Sequence, residues 1–142
     1  MPTVPSNAID LAIYFEGFYP KVYICPAGFF TIGFGHLCKK DHPPITREQG
    51  EVYLAEDLQD ALNGTLRLCP GLAFAPENWL GSITDFTFNL GAGRLQASTL
   101  RRRINEERWE DVPYELSRWV YGGGQKLQGL VLRREAESAF FM

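Results

Sequence analysis

The segment from Ile13 to Leu37, with the sequence IYFEGFYPKVYICPAGFFTIGFGHL, restricts the fold more than any other part of the chain. A helical pattern ends at Glu16-Gly17, because glycine is favoured just after the last turn of a helix. Two short aromatic-rich stretches follow, and the Cys-Pro-Ala-Gly sequence between them is typical of a tight β-hairpin. The chain must therefore place a helix end directly beside a small antiparallel sheet.

The hairpin loop predicts which strand residues face each other. Pro26 and Gly28 fit a three-residue loop, with proline early in the turn and glycine in the left-handed position that closes it. This register pairs Cys25 with Phe29 and places Thr31 two residues further along the second strand. Because alternate residues of a strand share a face, we expect Cys25 and Thr31 to be neighbours on one surface.

Glu16 is a candidate catalytic acid. Ile9, Ala12 and Ile13 recur at helical spacing before it, so Glu16 lies at the helix end, on or next to the buried side. The partial negative charge of a helix C-terminus and burial both favour a protonated carboxyl group. General acid catalysis needs such a group. The alternative is an ordinary surface glutamate at a helix end.

The remaining sequence predicts a mostly helical α+β protein with one early hairpin. A capping box, Thr46-x-x-Gln49, begins a long helix with an apolar stripe. Tyr121 starts a glycine-rich segment that reads as a flexible loop. The predicted helices cover about 6–16, 46–63, 77–90, 98–106, 108–120 and 128–141, and the predicted strands cover 21–25 and 29–34.

The net charge argues against nucleic acid as a partner. The 142 residues carry 14 basic and 17 acidic side chains, a formal net charge of -3, whereas binding to phosphates needs a basic excess. No apolar run approaches the roughly 20 residues that span a bilayer. The first residues lack the basic region of a signal peptide. We therefore expect no membrane insertion and synthesis without a signal peptide.

The cysteines predict neither a zinc site nor a cofactor. There are 3 cysteines and 2 histidines, and no CxxC pair, whereas structural zinc sites combine four such ligands at short spacing. A Cys38–Cys69 disulfide is compatible with this count and would leave Cys25 free. We expect no metal and no cofactor.

Several segments resemble the phage-type lysozymes, the endolysins of glycoside hydrolase family 24. The spacing Glu16-x8-Cys25-x5-Thr31 resembles the catalytic pattern Glu-x8-Asp/Cys-x5-Thr of that family, and the surrounding residues resemble its EGxxLxAYxxPxGxxTIGYGH signature. The resemblance continues through nearly the whole chain and in the same order. The later segments are ITREQGEVYLAEDL, DFTFNLGAGRLQASTLRRRIN and SRWVYGGGQKLQGLVLRREAESAFF.

The resemblance implies a peptidoglycan muramidase that cuts the β-1,4 bond between N-acetylmuramic acid and N-acetylglucosamine. It also implies a single lysozyme-like domain over 1–142. The small lobe, at about 17–63, carries the hairpin, and a long helix connects it to a larger helical lobe at about 1–16 and 64–142. The cleft between the lobes would bind the glycan strands of bacterial peptidoglycan.

The resemblance also implies roles for individual residues. Glu16 would protonate the glycosidic oxygen, while Thr31 and Cys25 would hold the attacking water. His36 would form a structural salt bridge with Asp57 rather than act in catalysis. The positions that line the substrate cleft in relatives are Phe34, Phe88, Asn89 and Ser98.

Cys25 stands where most family members have aspartate, and this leaves three functions open. Most glycosidases use two carboxyl groups, whereas a thiol with an ordinary pKa of about 8.5 is mostly neutral at pH 7. Hydrolysis with Glu16 as the acid is the function we favour. The alternatives are a lytic transglycosylase, which needs one acid, and a wall-binding or scaffold module with little activity.

The family resemblance also suggests how the protein would reach its substrate. We expect a monomer that is made in the host cytoplasm and released to the wall through a holin-type hole. An antibacterial effector or a toxin domain of a larger assembly is the alternative.

Overall fold

A computed structural model describes residues 2–142 of the chain, and it has the predicted mostly helical α+β architecture. The strands lie in two small antiparallel sheets, and the helices account for most of the remaining chain. The helices are α1 Ser6–Glu16, α2 Arg47–Leu68, α3 Glu77–Leu90, α4 Ala92–Ala97, α5 Thr99–Asn105, α6 Val112–Ser117 and α7 Gln128–Ala139. The strands are β1 Tyr19–Ile24, β2 Phe30–Gly33, β3 His36–Leu37, β4 Tyr121–Gly122 and β5 Gln125–Lys126.

The predicted hairpin register is confirmed. Tyr23 pairs with Thr31, and the Cys25 N–H donates to the Phe29 carbonyl oxygen at 3.0 Å. Gly28 closes the loop with a φ of 90°, a conformation that residues with a side chain rarely adopt. Cys25 and Thr31 therefore belong to the same face of the sheet, and β3 extends this sheet along the other edge of β2.

Helix α1 ends where the sequence predicts, but its buried side matches the predicted side only in part, at Ala12. The Gly17 N–H donates to the Ile13 carbonyl oxygen at 3.1 Å and ends the helix. The buried residues include Ala8 and Leu11, whereas Ile9 is exposed. This side is buried because α1 packs against α3 and α7. Glu16 lies beside the buried side and keeps part of its carboxyl group exposed.

Helix α2 connects the sheet region to the other helices and is longer than predicted. The capping box is present, since Thr46 accepts from the Gln49 N–H at 3.2 Å and Gln49 accepts from the Thr46 N–H at 2.9 Å. The helix continues past Gly64 to Leu68. Gly64 stays helical because it packs closely against Ala92 of α4. With 22 residues, α2 is about 33 Å long at 1.5 Å per residue.

Two groups of buried side chains hold the structure together. The larger lies among the helices that follow the middle of α2. The smaller lies where α1 and α2 meet the turn after β2. The larger group includes Leu62, Leu72, Ile83, Phe86, Leu95, Leu100, Ile104 and Leu116. The smaller group is Ala12, Phe34, Leu54 and Leu58.

Several predicted elements between 91 and 126 are wrong. A short helix, α4, occupies residues that the sequence left unassigned, and the helix predicted over 108–120 is only Val112–Ser117 after a 3-10 turn. The segment predicted as a flexible loop forms the β4–β5 ribbon, in which Tyr121 pairs with Lys126. These elements are six residues long or shorter, so their local sequence patterns are weak.

The Cys38–Cys69 disulfide is absent from the structure, where both thiols are free. Cys38 follows β3 at the sheet, whereas Cys69 caps the far end of α2 and is buried among the larger group of apolar side chains. The length of α2 keeps the two sulfur atoms apart. Burial raises the pKa of Cys69 to about 11, so this thiol stays neutral near pH 7.

Within residues 2–142, none of the helices combines the length and the apolar character required to cross a membrane.

The close contact between α1 and α3 predicts a strict requirement for glycine at position 81. A methyl group there would overlap the side-chain amide of Asn7, and this amide donates to the Asn78 carbonyl oxygen at 2.9 Å. We expect Gly81→Ala to lower the free energy of unfolding by about 1–3 kcal/mol, although alanine is the better helix former. Urea denaturation monitored by circular dichroism would measure this change.

Gly129→Ala in α7 is the matched control, because no atom lies within 4 Å of the added methyl group. This variant should be neutral or up to about 1 kcal/mol more stable than the wild type. Equal stability of both variants would contradict the proposed packing of α1 on α3.

Candidate active site

Glu16 lies at the C-terminal end of α1 and faces two other parts of the chain. Its Oε2 atom is 2.6 Å from Nη1 of Arg133 in α7. Its Oε1 atom lies against Gly35, where an added Cβ would be 2.6 Å away. The Glu16 side chain is 18% exposed. The carboxyl group is therefore held between α7 and the turn after β2, with one part open to solvent.

Arg133 is the buried group that holds Glu16. Its side chain is 4% exposed, and it donates to Asp85 of α3 through Nε at 2.9 Å and Nη2 at 2.7 Å. The rings of Phe15 and Phe88 lie 5.6 and 5.9 Å from the guanidinium carbon. Burial alone would raise the pKa of Asp85, but the Arg133 guanidinium outweighs burial and lowers it.

Behind Arg133, a second arginine forms another buried ion pair. Arg134 donates through Nη2 to Asn89 at 2.8 Å and to Oε2 of Glu137 at 2.9 Å. The Arg134 and Glu137 side chains are almost completely buried. Asn89 is thus anchored to α7 through its side-chain oxygen.

The hairpin supplies the second set of candidate groups. Partial burial opposes ionisation of the Cys25 thiol. Hydrogen bonds from the Phe29 N–H, the Thr31 hydroxyl and the Ala27 and Gly28 N–H groups outweigh burial and lower the pKa of Cys25 below its ordinary value. The turn thus makes the Cys25 thiol easier to ionise than an ordinary cysteine.

Thr31 is more enclosed than a water-binding role suggests, since it is only 2% exposed. Its hydroxyl lies 2.9 Å from the Phe29 carbonyl oxygen and also contacts Cys25. A hydroxyl carries a single proton. Thr31 can therefore donate to the carbonyl while Cys25 is neutral, and to the sulfur atom when Cys25 is a thiolate.

Tyr23 connects the two sets of groups. Burial raises its pKa to about 12, and negative charge on Glu16, Tyr19 and Cys25 contributes in that order. The Tyr23 hydroxyl group is therefore close enough to interact electrostatically with both Glu16 and Cys25. Sequence analysis missed this residue, although its place two positions before Cys25 put it on the same face of the sheet.

A cavity of about 330 Å³ lies next to Glu16, between the sheet and the helices. Glu16 does not line it, but Gly35 does and also contacts Glu16. Leu37 also lines this cavity, and 64% of its surface is exposed. Sequence analysis did not identify Leu37 as a candidate site residue. The cavity is lined by Gly35, His36, Leu37, Asp57, Asp60, Ala61, Thr87, Phe88 and Ala92.

His36 and Asp57 are in hydrogen-bonding contact at the edge of this cavity. His36 Nδ1 lies 2.7 Å from Asp57 Oδ2, and the imidazole ring stacks on Tyr53 with 4.4 Å between ring centroids. Burial raises the pKa of Asp57 despite the opposing effect of His36. These contacts attach β3 to α2.

The four residues that the family resemblance assigns to the substrate cleft lie in different parts of the structure. Phe88 lines the cavity and Asn89 follows it, bound to Arg134. Phe34 is only 1% exposed and packs in the smaller apolar group, in the turn that follows β2. Ser98 caps α5 through the Arg101 N–H at 3.0 Å and borders a separate depression. Phe34 and Ser98 therefore do not line this cavity.

Sequence comparison identifies relatives over nearly the full chain. Residues 13–137 match the family model described as Phage lysozyme. The endolysin of Acyrthosiphon pisum secondary endosymbiont phage 1 is 34% identical, and the match covers 97% of each chain. The endolysin of Bacillus phage B103 is 31% identical over 98% of this chain and 54% of its own length. The chain thus spans about half the length of the B103 relative.

Structural comparison agrees with the sequence comparison. The fold matches the muramidase domain of SpmX from Asticaccaulis excentricus with a TM-score of 0.85 and 25% identity, covering 100% of this chain and 99% of the other. The predicted lysozyme-like α+β fold is confirmed. The chain belongs to the phage lysozyme family.

Proposed function

We propose that the protein is a muramidase, which hydrolyses the β-1,4 bond between N-acetylmuramic acid and N-acetylglucosamine in peptidoglycan. The observation that carries this proposal is the position of Glu16, a partly exposed carboxyl group at the edge of a cavity, opposite a sheet face with Cys25 and Thr31. Family membership supports the same reaction. In this proposal the glycan strand occupies the cavity along Leu37 and Phe88.

Glu16 is the proposed general acid. Its proton passes to the glycosidic oxygen as the bond from the sugar carbon to that oxygen breaks. The Arg133 guanidinium lies 2.6 Å from the Glu16 carboxyl group and holds it in place for this role. Arg133 is itself fixed by its bidentate hydrogen bonds to Asp85.

Cys25 and Thr31 are the proposed groups that position the attacking water. The thiolate form of Cys25 can accept a proton from this water and supply the negative charge that a second carboxylate provides in most glycosidases. The hydrogen bonds that lower the pKa of Cys25 support this role. The enclosed Thr31 hydroxyl fixes the orientation of the sulfur atom rather than binding the water alone.

Three further features belong to this proposal. We infer that residues 1–142 form a single domain, with a small lobe at about 17–63, and that the protein acts as a monomer without nucleic acid. One copy carries both the acid and the sheet face, which supports a monomeric active unit. Delivery to the wall through a holin-type hole follows from the family resemblance.

Analysis of the products of peptidoglycan digestion separates this function from its alternatives. Hydrolysis should release fragments that end in reducing muramic acid, as measured by mass spectrometry. A lytic transglycosylase would release 1,6-anhydro products, and a binding module would release no soluble product. Either of these outcomes would overturn the proposed hydrolysis.

The first prediction concerns the proposed acid. We expect Glu16→Gln to lower the rate of wall lysis by about 10²–10⁴-fold, the usual contribution of a positioned general acid. Turbidity of a suspension of cell walls would measure the rate. Glu135→Gln is the control, because this exposed glutamate lies on α7 and loses the same charge. Full lytic activity of Glu16→Gln would refute the assignment.

The second prediction concerns Cys25. Cys25→Asp should remain active, and Cys25→Ala should lose less activity than Glu16→Gln does. Because the thiolate is lost as pH falls through its pKa while aspartate stays ionised to about pH 4, the activity ratio of Cys25→Asp to wild type should increase towards acid pH. Alkylation rates measured against pH would give the thiol pKa directly.

Cys38→Ala is the control for this series. Cys38 directly follows β3, on the far side of β2 from the strand that leads to Cys25, and burial raises the pKa of its thiol. A collapse of activity in Cys25→Asp, with Cys38→Ala unaffected, would instead indicate a role specific to the Cys25 thiol.

A further inference from the structure

The strand pairing brings residues of β1, β2 and β3 together on one face of the sheet. Tyr23 pairs with Thr31, and Thr31 pairs with Leu37 on its other side. Directly opposite residues of neighbouring strands project to the same face, and Cys25 joins them because it follows Tyr23 by two residues. We refer to the surface formed by Tyr23, Cys25, Thr31 and Leu37 as the site face of the sheet.

Phe29 belongs to the site face and is largely exposed. It lies two residues before Thr31 and opposite Cys25, whose N–H donates to the Phe29 carbonyl oxygen at 3.0 Å. Although its side chain is a large apolar ring, Phe29 is 58% exposed. Sites for organic ligands are lined mainly by apolar and aromatic side chains. The position of this ring next to the proposed water-binding group therefore suits a contact with substrate.

Phe29 extends the apolar lining of the cavity beyond Leu37. Leu37 lines the cavity and is itself 64% exposed. Because Leu37 pairs with Thr31, Phe29 is its diagonal neighbour, at the usual spacing of about 7–8 Å. Thr31 between them is only 2% exposed and forms the floor of this surface. A chain molecule that lies along Leu37 therefore meets Phe29 next.

The hairpin loop holds Phe29 in a fixed position. The Gly28 N–H donates to the Cys25 carbonyl oxygen at 2.8 Å, in addition to the bond between Cys25 and Phe29. The Thr31 hydroxyl donates to the Phe29 carbonyl oxygen at 2.9 Å. A ring on a backbone that is already ordered loses little conformational entropy when a ligand binds.

We propose that Phe29 is a further substrate-binding residue, whose ring packs against the apolar face of a sugar unit of the glycan strand beside Cys25. This inference rests on the proposed muramidase function and adds a contact to the same site. A sugar ring carries C–H groups on its faces and most of its hydroxyl groups at its edge. The face of an aromatic ring is apolar and carries partial negative charge, which attracts such C–H groups.

This contact fills a gap in the proposed binding of the strand. The proposed reaction needs the glycosidic oxygen at Glu16 and the neighbouring sugar carbon at the water that Cys25 holds. The cavity is lined by the turn after β2 and by β3, α2, α3 and α4, whereas Cys25 lies in the hairpin loop. The cavity thus binds the strand at one end of the site, and Phe29 supplies an apolar contact at the other end.

Ile24 provides a matched comparison within the same hairpin. It directly precedes Cys25 and pairs with Phe30, so it projects from the opposite face of the sheet. Ile24 is 64% exposed, close to the value of Phe29. Replacing Ile24 removes exposed apolar surface from the hairpin without changing the site face.

Steady-state kinetics on soluble glycan strands released from peptidoglycan test the contact. Phe29→Ala should raise KM roughly tenfold with kcat unchanged, because the ground state and the transition state lose the same contact. Phe29→Tyr should restore the KM of the wild type, since the ring is kept. Ile24→Ala should behave as the wild type. An unchanged KM in folded Phe29→Ala, or an equal rise in Ile24→Ala, would overturn the proposal.

Alkylation of Cys25 shows whether Phe29→Ala acts through the turn instead. The backbone of Phe29, rather than its ring, forms the hydrogen bonds with Cys25. The pH dependence of alkylation should therefore match that of the wild type. A fall in kcat together with a shifted alkylation profile would indicate that Phe29 acts by positioning Cys25, and it would refute direct binding of the sugar.

Fluorescence provides a measurement that does not depend on turnover. In the Glu16→Gln background, addition of glycan strands should shift the emission of Phe29→Trp to shorter wavelength, because the sugar covers the indole ring. Ile24→Trp in the same background should show no shift. Glu16→Gln alone supplies the background signal of the natural tryptophans, which pack against the larger apolar group and are Trp79, Trp109 and Trp119. The absence of a shift in Phe29→Trp with excess strands would contradict the proposal.

The outcomes separate this inference from the proposed muramidase function. A wild type that releases no product would overturn the muramidase activity, while the emission of Phe29→Trp would still decide whether position 29 contacts the glycan. A wild type that releases reducing muramic acid, together with a Phe29→Ala variant of unchanged KM, would leave the function in place and overturn the role of Phe29.

Discussion

The buried guanidinium group of Arg133 is the interaction on which the geometry of this protein depends. It joins α7 to Asp85 of α3 and to Glu16 at the end of α1, so one cation fixes three helices. An arginine in this position without partners would cost several kcal/mol. The last helix of the chain therefore determines where the first helix places its carboxyl group. Arg133 lies 48 positions after Asp85 and 117 positions after Glu16, the proposed acid.

The opposite wall of the site depends on the alternation of side chains in the hairpin. Cys25 and Thr31 belong to one face of the hairpin, while Ile32 belongs to the other and is completely buried. A shift of one residue would reverse these faces, and it would place Ile32 rather than Thr31 beside the thiol. The contact of His36 with Asp57 adds a second attachment of the sheet to α2. The register of the hairpin and the contact between His36 and Asp57 therefore both fix the position of the sheet relative to the helices.

Local chemistry explains which features could be predicted from the sequence. The end of α1 at Gly17, the start of α2 at Thr46 and the hairpin register each depend on residues a few positions apart, and all three are confirmed. The extension of α2 past Gly64 depends on packing against another helix. Short elements such as the ribbon at Tyr121 have no comparable local signal.

Only part of the site could be predicted from the sequence, because only some of its contacts join residues that are close together in the chain. The hairpin spacing pointed to Cys25 and Thr31, because a strand repeats every two residues. The ion pairs of Arg133 join residues far apart in sequence, so helical periodicity alone could not reveal them. Phe34 packs in the smaller apolar group, and strand alternation could not predict this because the residue follows the end of β2.

The contacts of the site bear on the question that a thiol in place of a carboxylate raises. On one wall, Arg133 holds the Glu16 carboxyl group at 2.6 Å and is itself bound to Asp85. On the other wall, hydrogen bonds lower the pKa of the Cys25 thiol below its ordinary value. In the proposed mechanism Glu16 is the acid and Cys25 orients the water, so the thiol takes the place of the second carboxyl group that most glycosidases use.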